Sequence, residues 1–151
     1  MGEYEYLFSG LRHAPQEMIK ILREIPDELE GEPLKKDGWS AHQVIFHLQD
    51  VGENVYIPRL NQILDQSNPL FQDFDTTQSM VTHYDPLTPR KELLDDFKSQ
   101  CDQTVDLLEG LSDEDWNRPG THISLGTHSL SWWADRMLAH IEEHLSQLRG
   151  N

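Results

Sequence analysis

The stretch MLAHIEEHLSQLRG, Met137 to Gly150, repeats apolar residues at helical spacing and sets two histidines, His140 and His144, among them. With Trp133 upstream, Met137, Ile141, Leu145 and Leu148 form the buried stripe of one amphipathic helix, expected over about Leu130 to Arg149 and stopped by Gly150. Residues four apart stack on one helix face, so both imidazoles point toward the core. A buried neutral imidazole leaves a ring nitrogen in need of a partner, and one shared metal ion satisfies two such rings at once.

The same string matches H-x-x-E-H, the inverted zinc-peptidase pattern. Those enzymes draw a further ligand from far downstream. Only seven residues follow His144 in this sequence, so we set that pattern aside and expect the third ligand upstream. A di-iron carboxylate site is excluded as well. It needs Glu-x-x-His on two helices, and no glutamate stands three residues before His140 or His144.

Three more helices can be argued. The first is expected from about Tyr4 to Ile25, with Phe8, Leu11, Met18, Leu22 and Ile25 on one side. Pro15 inside it either starts a second helical piece or kinks one long helix. The second opens at GWSAHQV, where Ser40 and Gln43 hold the two positions of a capping box and Trp39 with Val44 those of a hydrophobic staple. Its stripe runs through Leu48, Val51 and Val55 to about Gln66, with a kink expected near Asn54 to Pro58. The third starts at Thr88-Pro89 and follows Leu94, Phe97, Cys101, Thr104, Leu108 and Leu111. Cys101 on that stripe reads as a small core residue. Together these predict an all-α four-helix bundle, with no strand pattern and a long loop between helices 2 and 3 at residues 67–88. A connection of that length is either a crossover or a candidate lid. Residues 21–33 and 107–119 align as a possible duplicated hairpin, but ordinary helix-exit composition explains the likeness better.

Among the six remaining histidines, His47 is the best third ligand, because Val44, Leu48 and Val51 flank it on the buried side of helix 2. His42, five residues earlier, faces elsewhere. His13 lies beside Pro15, and His83, His122 and His128 fall in loops or at a helix start. These four are expected to face solvent, with His83 able to reach the site from the lid.

The totals narrow the partners. The chain of 151 residues fits one domain, 1–151, and carries a net charge of −15. Such a surface repels phosphate backbones and anionic lipid, so neither nucleic acid nor membrane is expected. No apolar run approaches the ~18 residues of a membrane span, and the acidic N-terminus is unlike a signal peptide, so a cytoplasmic location is expected. One cysteine excludes an internal disulfide and a thiolate-rich site, leaving His, Asp and Glu as ligands.

The segment GWSAHQVIFHLQD, the long second helix and the final H-x-x-x-H-L-x-Q-L resemble the DinB-like superfamily of bacterial four-helix metalloproteins. The resemblance implies a divalent-metal site on His47, His140 and His144. It also implies kinship with bacillithiol S-transferases and mycothiol-dependent maleylpyruvate isomerases. Three imidazoles leave coordination positions open, and Zn, Ni, Fe or Mn suits them. Asp50, three residues after His47, and Glu143, three after His140, are the candidate catalytic carboxylates. Arg59 and Tyr84 are candidates for substrate contact, weighed against surface or packing roles. The expected function is a metal-dependent enzyme, a thiol-dependent S-transferase or a small-molecule hydrolase, whose substrate could be a low-molecular-weight thiol. The alternatives are a non-catalytic metal-binding bundle acting as a sensor or interaction module, and a metal-free core in which the three rings do not converge. A homodimer is a further expectation.

Overall fold

The computed structural model describes residues 2–36 and 38–150. Four long helical units form the bundle. Helix α1 spans Glu5–Arg23; α2, Ala41–Val51, runs through a π-helical segment Gly52–Tyr56 into α3, Ile57–Asp65; α5 spans Arg90–Glu109; and α7 spans Leu130–Leu148. Helix α1 packs on α5 and α7, and so does α2. Consecutive helices α1 and α2 therefore lie diagonally across the bundle. No helix among the described residues is long and apolar enough to cross a membrane.

Most of the predicted stripe residues are in the observed core; Phe8, Ile25, Leu94 and Leu111 are only partly buried and pack against it, and Leu7, not expected, is fully buried. Leu7, Leu11, Met18 and Leu22 of α1 are buried with Leu48 of α2, Phe97, Cys101 and Leu108 of α5, and Trp133, Met137, Ile141 and Leu145 of α7. Removing each such apolar side chain from water contributes about 1.5–3 kcal/mol. Burial pushes the Cys101 thiol up to about 12, as befits a core residue. Helix α1 is continuous through Pro15, so His13 sits on an unbroken exposed helical face. Helix α5 begins at Arg90 with Pro89 at its cap, one residue later than the Thr88 cap expected.

The capping box that opens α2 is complete. Ser40 Oγ accepts from the Gln43 amide at 3.1 Å, and Gln43 Oε1 accepts from the Ser40 amide at 2.9 Å. The expected kink is a π-helical turn. Ile57 N–H bonds the Gly52 carbonyl, five residues back, just before Pro58, which has no N–H to donate. Gln100 of α5 steadies this junction by donating to the Gln49 carbonyl at 2.9 Å.

Two parts of the structure go beyond the expected bundle. The connection 67–88 contains strand β1, Leu70–Phe71, and helix α4, Thr76–His83. After α5, a short helix α6, Asp113–Trp116, leads into a hairpin of β2, Pro119–His122, and β3, Gly126–Ser129. Strand β2 pairs antiparallel with β3 and parallel with β1, so a small sheet ties the long connection to the start of α7. It packs closely: a Cβ on Gly120 would stand 2.7 Å from Phe71 and 2.9 Å from Ile63. Trp133 Nε1 donates to the Gly120 and His128 carbonyls. The two aligned segments at 21–33 and 107–119 each carry a short helical turn just past a helix end.

Candidate metal centre

The capping box sets where α2 starts, and about two turns after the Ser40 cap its buried face presents His47. From the neighbouring helix, α7 presents His140 and His144. The three rings converge. His140 Nε2 lies 3.2 Å from His47 Nε2 and 3.1 Å from His144 Nε2, and one nitrogen from each ring falls within 4.8 Å of the others. His47 is 5% exposed, and the other two are half-buried. The metal-free alternative predicted rings that do not converge, and they do.

Their hydrogen bonds test whether a cation fits. His144 Nδ1 lies 2.7 Å from Gln147 Oε1, an acceptor, so Nδ1 carries the ring proton and Nε2 turns a lone pair inward. One proton on His140 Nε2 can serve only one of its two neighbours, which leaves a buried lone pair without a donor. A cation satisfies all three nitrogens. Zn–N bonds of about 2.0–2.1 Å place donor nitrogens about 2.9 Å apart in an octahedral site and about 3.4 Å apart in a tetrahedral one, which brackets the two separations from His140. Electrostatics agree with ligation by neutral imidazole. Burial, reinforced by the neighbouring rings, pulls His47 down to about 3 and His140 down to about 4. Trp39, expected only to staple the helix start, instead lies over the site, its ring 4.7 Å from His47 and 6.4 Å from His144.

The site borders a cavity of 320 Å³. His47 and His140 form part of its wall, joined by Tyr56, Arg59, Asp73 and Arg136. Tyr56 and Arg59 come from the π-helical segment and α3, Asp73 from the connection after β1, and Arg136 from α7. Val51, Val55, Phe74 and Leu125 supply its apolar part. Burial pushes the Tyr56 hydroxyl up, opposed by the Arg136 and Arg59 guanidinium groups. Burial also pulls Arg59 down from its ordinary value.

The other predicted site residues are placed as follows. Asp50 is buried, but its carboxylate accepts from Ser79 Oγ at 2.6 Å and Asn54 Nδ2 at 2.9 Å, which ties α4 onto α2. Glu143 is exposed. Neither lines the cavity. The 67–88 connection does reach it, through Asp73, Phe74 and Thr76.

His42 does face elsewhere. Its Nε2 donates to the Thr88 carbonyl at 2.8 Å, and its Nδ1 accepts from Tyr84 Oη at 2.6 Å, so Tyr84 packs here and not against the cavity. His13 and His83 are exposed as expected, and His83 stays clear of the three histidines. His122 corrects the expectation of solvent exposure. It is 4% exposed on β2, where its Nδ1 accepts from the Ser124 and Leu125 amides. The proton therefore sits on Nε2, which faces Asp73 at 3.2 Å. His128 is half-buried, stacked on Trp132 at 3.6 Å. The hairpin that places His122 and His128 carries no strong strand pattern, so neither burial was legible.

Comparison with known proteins bears on this geometry. A protein of Bacillus pumilus named "Putative metal-dependent hydrolase" is 26% identical over 157 aligned positions, covering 99% of this chain and 89% of its own length. A protein of Geobacillus kaustophilus named in the same words is 24% identical over 120 positions, covering 78% of this chain and 65% of its own length. The solved structure of YfiT from Bacillus subtilis is described as "a probable metal-dependent hydrolase with an unusual four-helix bundle topology". It matches 98% of this chain and 86% of its own with a TM-score of 0.88, at 18% identity, which shows a shared fold. The profile of the DinB superfamily matches residues 11–148, a span that reaches all four bundle helices and every one of the three histidines, and the chain belongs to that superfamily.

Proposed function

We propose that the protein is a metal-dependent hydrolase of a small molecule, with His47, His140 and His144 holding one divalent transition metal. The observation that carries this reading is the convergence of three imidazole nitrogens at the wall of an open cavity. A divalent metal there supplies Lewis acidity at a position a substrate can reach. Zn, Ni, Fe and Mn all suit three imidazoles.

The chain's own residues supply the rest. Gln147 holds the His144 ring in the ligating tautomer. Asp73, at the cavity wall, is the candidate proton acceptor, and the Tyr56 hydroxyl, kept protonated, is a hydrogen-bond donor. We assign Asp50 a positioning role, because its carboxylate is buried between Ser79 and Asn54 and does not line the cavity, whereas Asp73 does. We leave Glu143 outside the chemistry.

A non-catalytic sensor would favour closed coordination. Among the described residues no fourth His, Cys, Asp or Glu joins the cluster, which supports turnover. The open position also accepts a substrate thiol, so thiol transfer is the competing reaction.

The test is elemental analysis of wild type and His144→Ala after equal dialysis, followed by assays with esters, amides, lactones and thiol–electrophile pairs, each with and without chelator. About one equivalent of metal in wild type, lost in the variant, with chelator-sensitive hydrolysis, is expected. Wild type that refuses Zn²⁺, Ni²⁺ and Mn²⁺ overturns the reading. Thiol transfer without hydrolysis replaces the reaction while keeping the site.

A further inference from the structure

We infer that the cavity beside the histidines is an oxyanion subsite in which Arg59 and Arg136 receive a carboxylate or phosphate group of the substrate. The inference rests on the small-molecule reading above for what happens at the metal end, and on the cavity alone for the anion end.

The chain has 27 acidic and 12 basic residues, so cations have carboxylates to spare. Arg12, Lys91, Lys98 and Arg149 each pair with one and Arg90 with two, while Lys20, Arg23 and Arg118, which have none within 4.0 Å among the described residues, lie outside the cavity. Arg59 and Arg136 line one cavity from two different helices, and among the described residues neither has a carboxylate within 4.0 Å. Asp73, the one carboxylate in that wall, faces His122 Nε2 at 3.2 Å and accepts from Ser124 Oγ at 3.3 Å. The cavity thus holds two guanidinium charges against one engaged carboxylate, inside a protein of net charge −15.

Both guanidinium groups are also held in place by contacts that leave their charge uncompensated. Arg59 Nη2 donates to the Gln72 carbonyl at 3.0 Å, and its guanidinium sits 5.4 Å from the Phe71 ring centre and 5.5 Å from that of Trp133. Arg136 sits 5.4 Å from the Trp132 ring centre. Stacking on aromatic faces orients the planar donor fork that matches carboxylate and phosphate oxygens. Two like charges facing one space oppose folding, and a bound anion relieves that repulsion. A cavity of 320 Å³ suits a small molecule whose anionic end meets the arginines while its other end reaches His47 and His140.

The test uses chelator-treated, metal-free protein, so that failure of the metal centre and failure of this subsite are read separately. The side-chain Nε–H NMR signals of Arg59 and Arg136 are followed at 150 mM NaCl while succinate, inorganic phosphate or neutral succinamide is added. Saturable shifts with at least one anion and none with succinamide are expected, and the ratio of the succinate and phosphate affinities names the preferred group. Arg136→Gln, at an exposed position that tolerates change, should weaken binding at least tenfold. Arg59→Lys, which keeps the charge but loses the fork, should weaken it severalfold. Arg12→Gln, outside the cavity, should leave it unchanged. Absence of saturable shifts overturns the inference, and so does equal loss in the Arg12 variant, which would mark diffuse charge attraction.

Discussion

Replacing Gln147 by leucine isolates the one hydrogen bond that fixes a ligand's tautomer. Gln147 is half-buried and accepts from His144 Nδ1 at 2.7 Å. A neutral hydrogen bond of this kind contributes about 0.5–1.5 kcal/mol net. Without it the ring is free to carry its proton on Nε2, a form that cannot ligate. Since ~1.4 kcal/mol is a factor of ten in an equilibrium constant, we expect zinc affinity to fall about tenfold, at the lower end of the ~10–100-fold effect of removing a partner behind a metal-binding histidine. The metal-free fold should lose no more than about 0.5–1.5 kcal/mol, the net worth of that hydrogen bond, because Gln147 is not part of the core. Gln147→Glu offers a charged acceptor and should keep or raise the affinity. Competition with a chromophoric chelator measures affinity, and thermal melts in chelator measure the fold. A leucine variant that binds zinc within twofold of wild type, with an unchanged melt, would refute the assigned tautomer.

Two further outcomes are expected. His47 and His140 are pulled down to about 3 and about 4, from an ordinary value of 6.5. Between those values the unfolded chain binds protons that the native protein does not, so the stability of metal-free protein should be full above pH 6.5 and fall as pH drops toward 4. Calorimetry in chelator checks this, and His47→Gln should flatten the slope. Gly120→Ala places a methyl group against Phe71 and Ile63, both well buried, and should cost about 1–3 kcal/mol by overpacking, read as a lower denaturation midpoint.

The bundle was legible because each long helix carries its own periodic stripe and, in α2, a complete capping box. The ligand set was legible for the same reason. A histidine flanked by Val44, Leu48 and Val51 must share their buried face, and a pair four apart must share a side. The sheet was not. Its strands are two to four residues long, β2 is built from Pro119, Gly120, Thr121 and His122, and its partner β1 lies some fifty residues earlier in the chain. The burial of His122 and its approach to Asp73 depend on that long-range pairing, which local pattern does not encode. Asp50 and Glu143 were singled out because both stand three residues after a ligand. Only the fold reveals that Ser79 and Asn54 take up the first, and that the second lies on the exposed side of α7.

The π-helical turn at Gly52–Tyr56 behaves as a one-residue insertion in the α2–α3 rod. At about 100° per residue, an unbroken α-helix would carry Arg59 about 120° away from His47 around the axis, on a different face. With one residue absorbed by the wide turn, the difference closes to about 20°. That phase shift brings both residues to the same cavity wall. The wide turn therefore takes up one extra residue without changing the face on which the rod resumes: deleting one residue between Gly52 and Tyr56 would leave an unbroken α-helix with Arg59 eleven positions after His47, still about 20° from it, whereas winding all the residues into α geometry would carry Arg59 off the cavity. Ligand geometry and anion contact are thus kept in register by the width of one turn, and straightening that turn without losing a residue would re-aim the second while leaving the first in place.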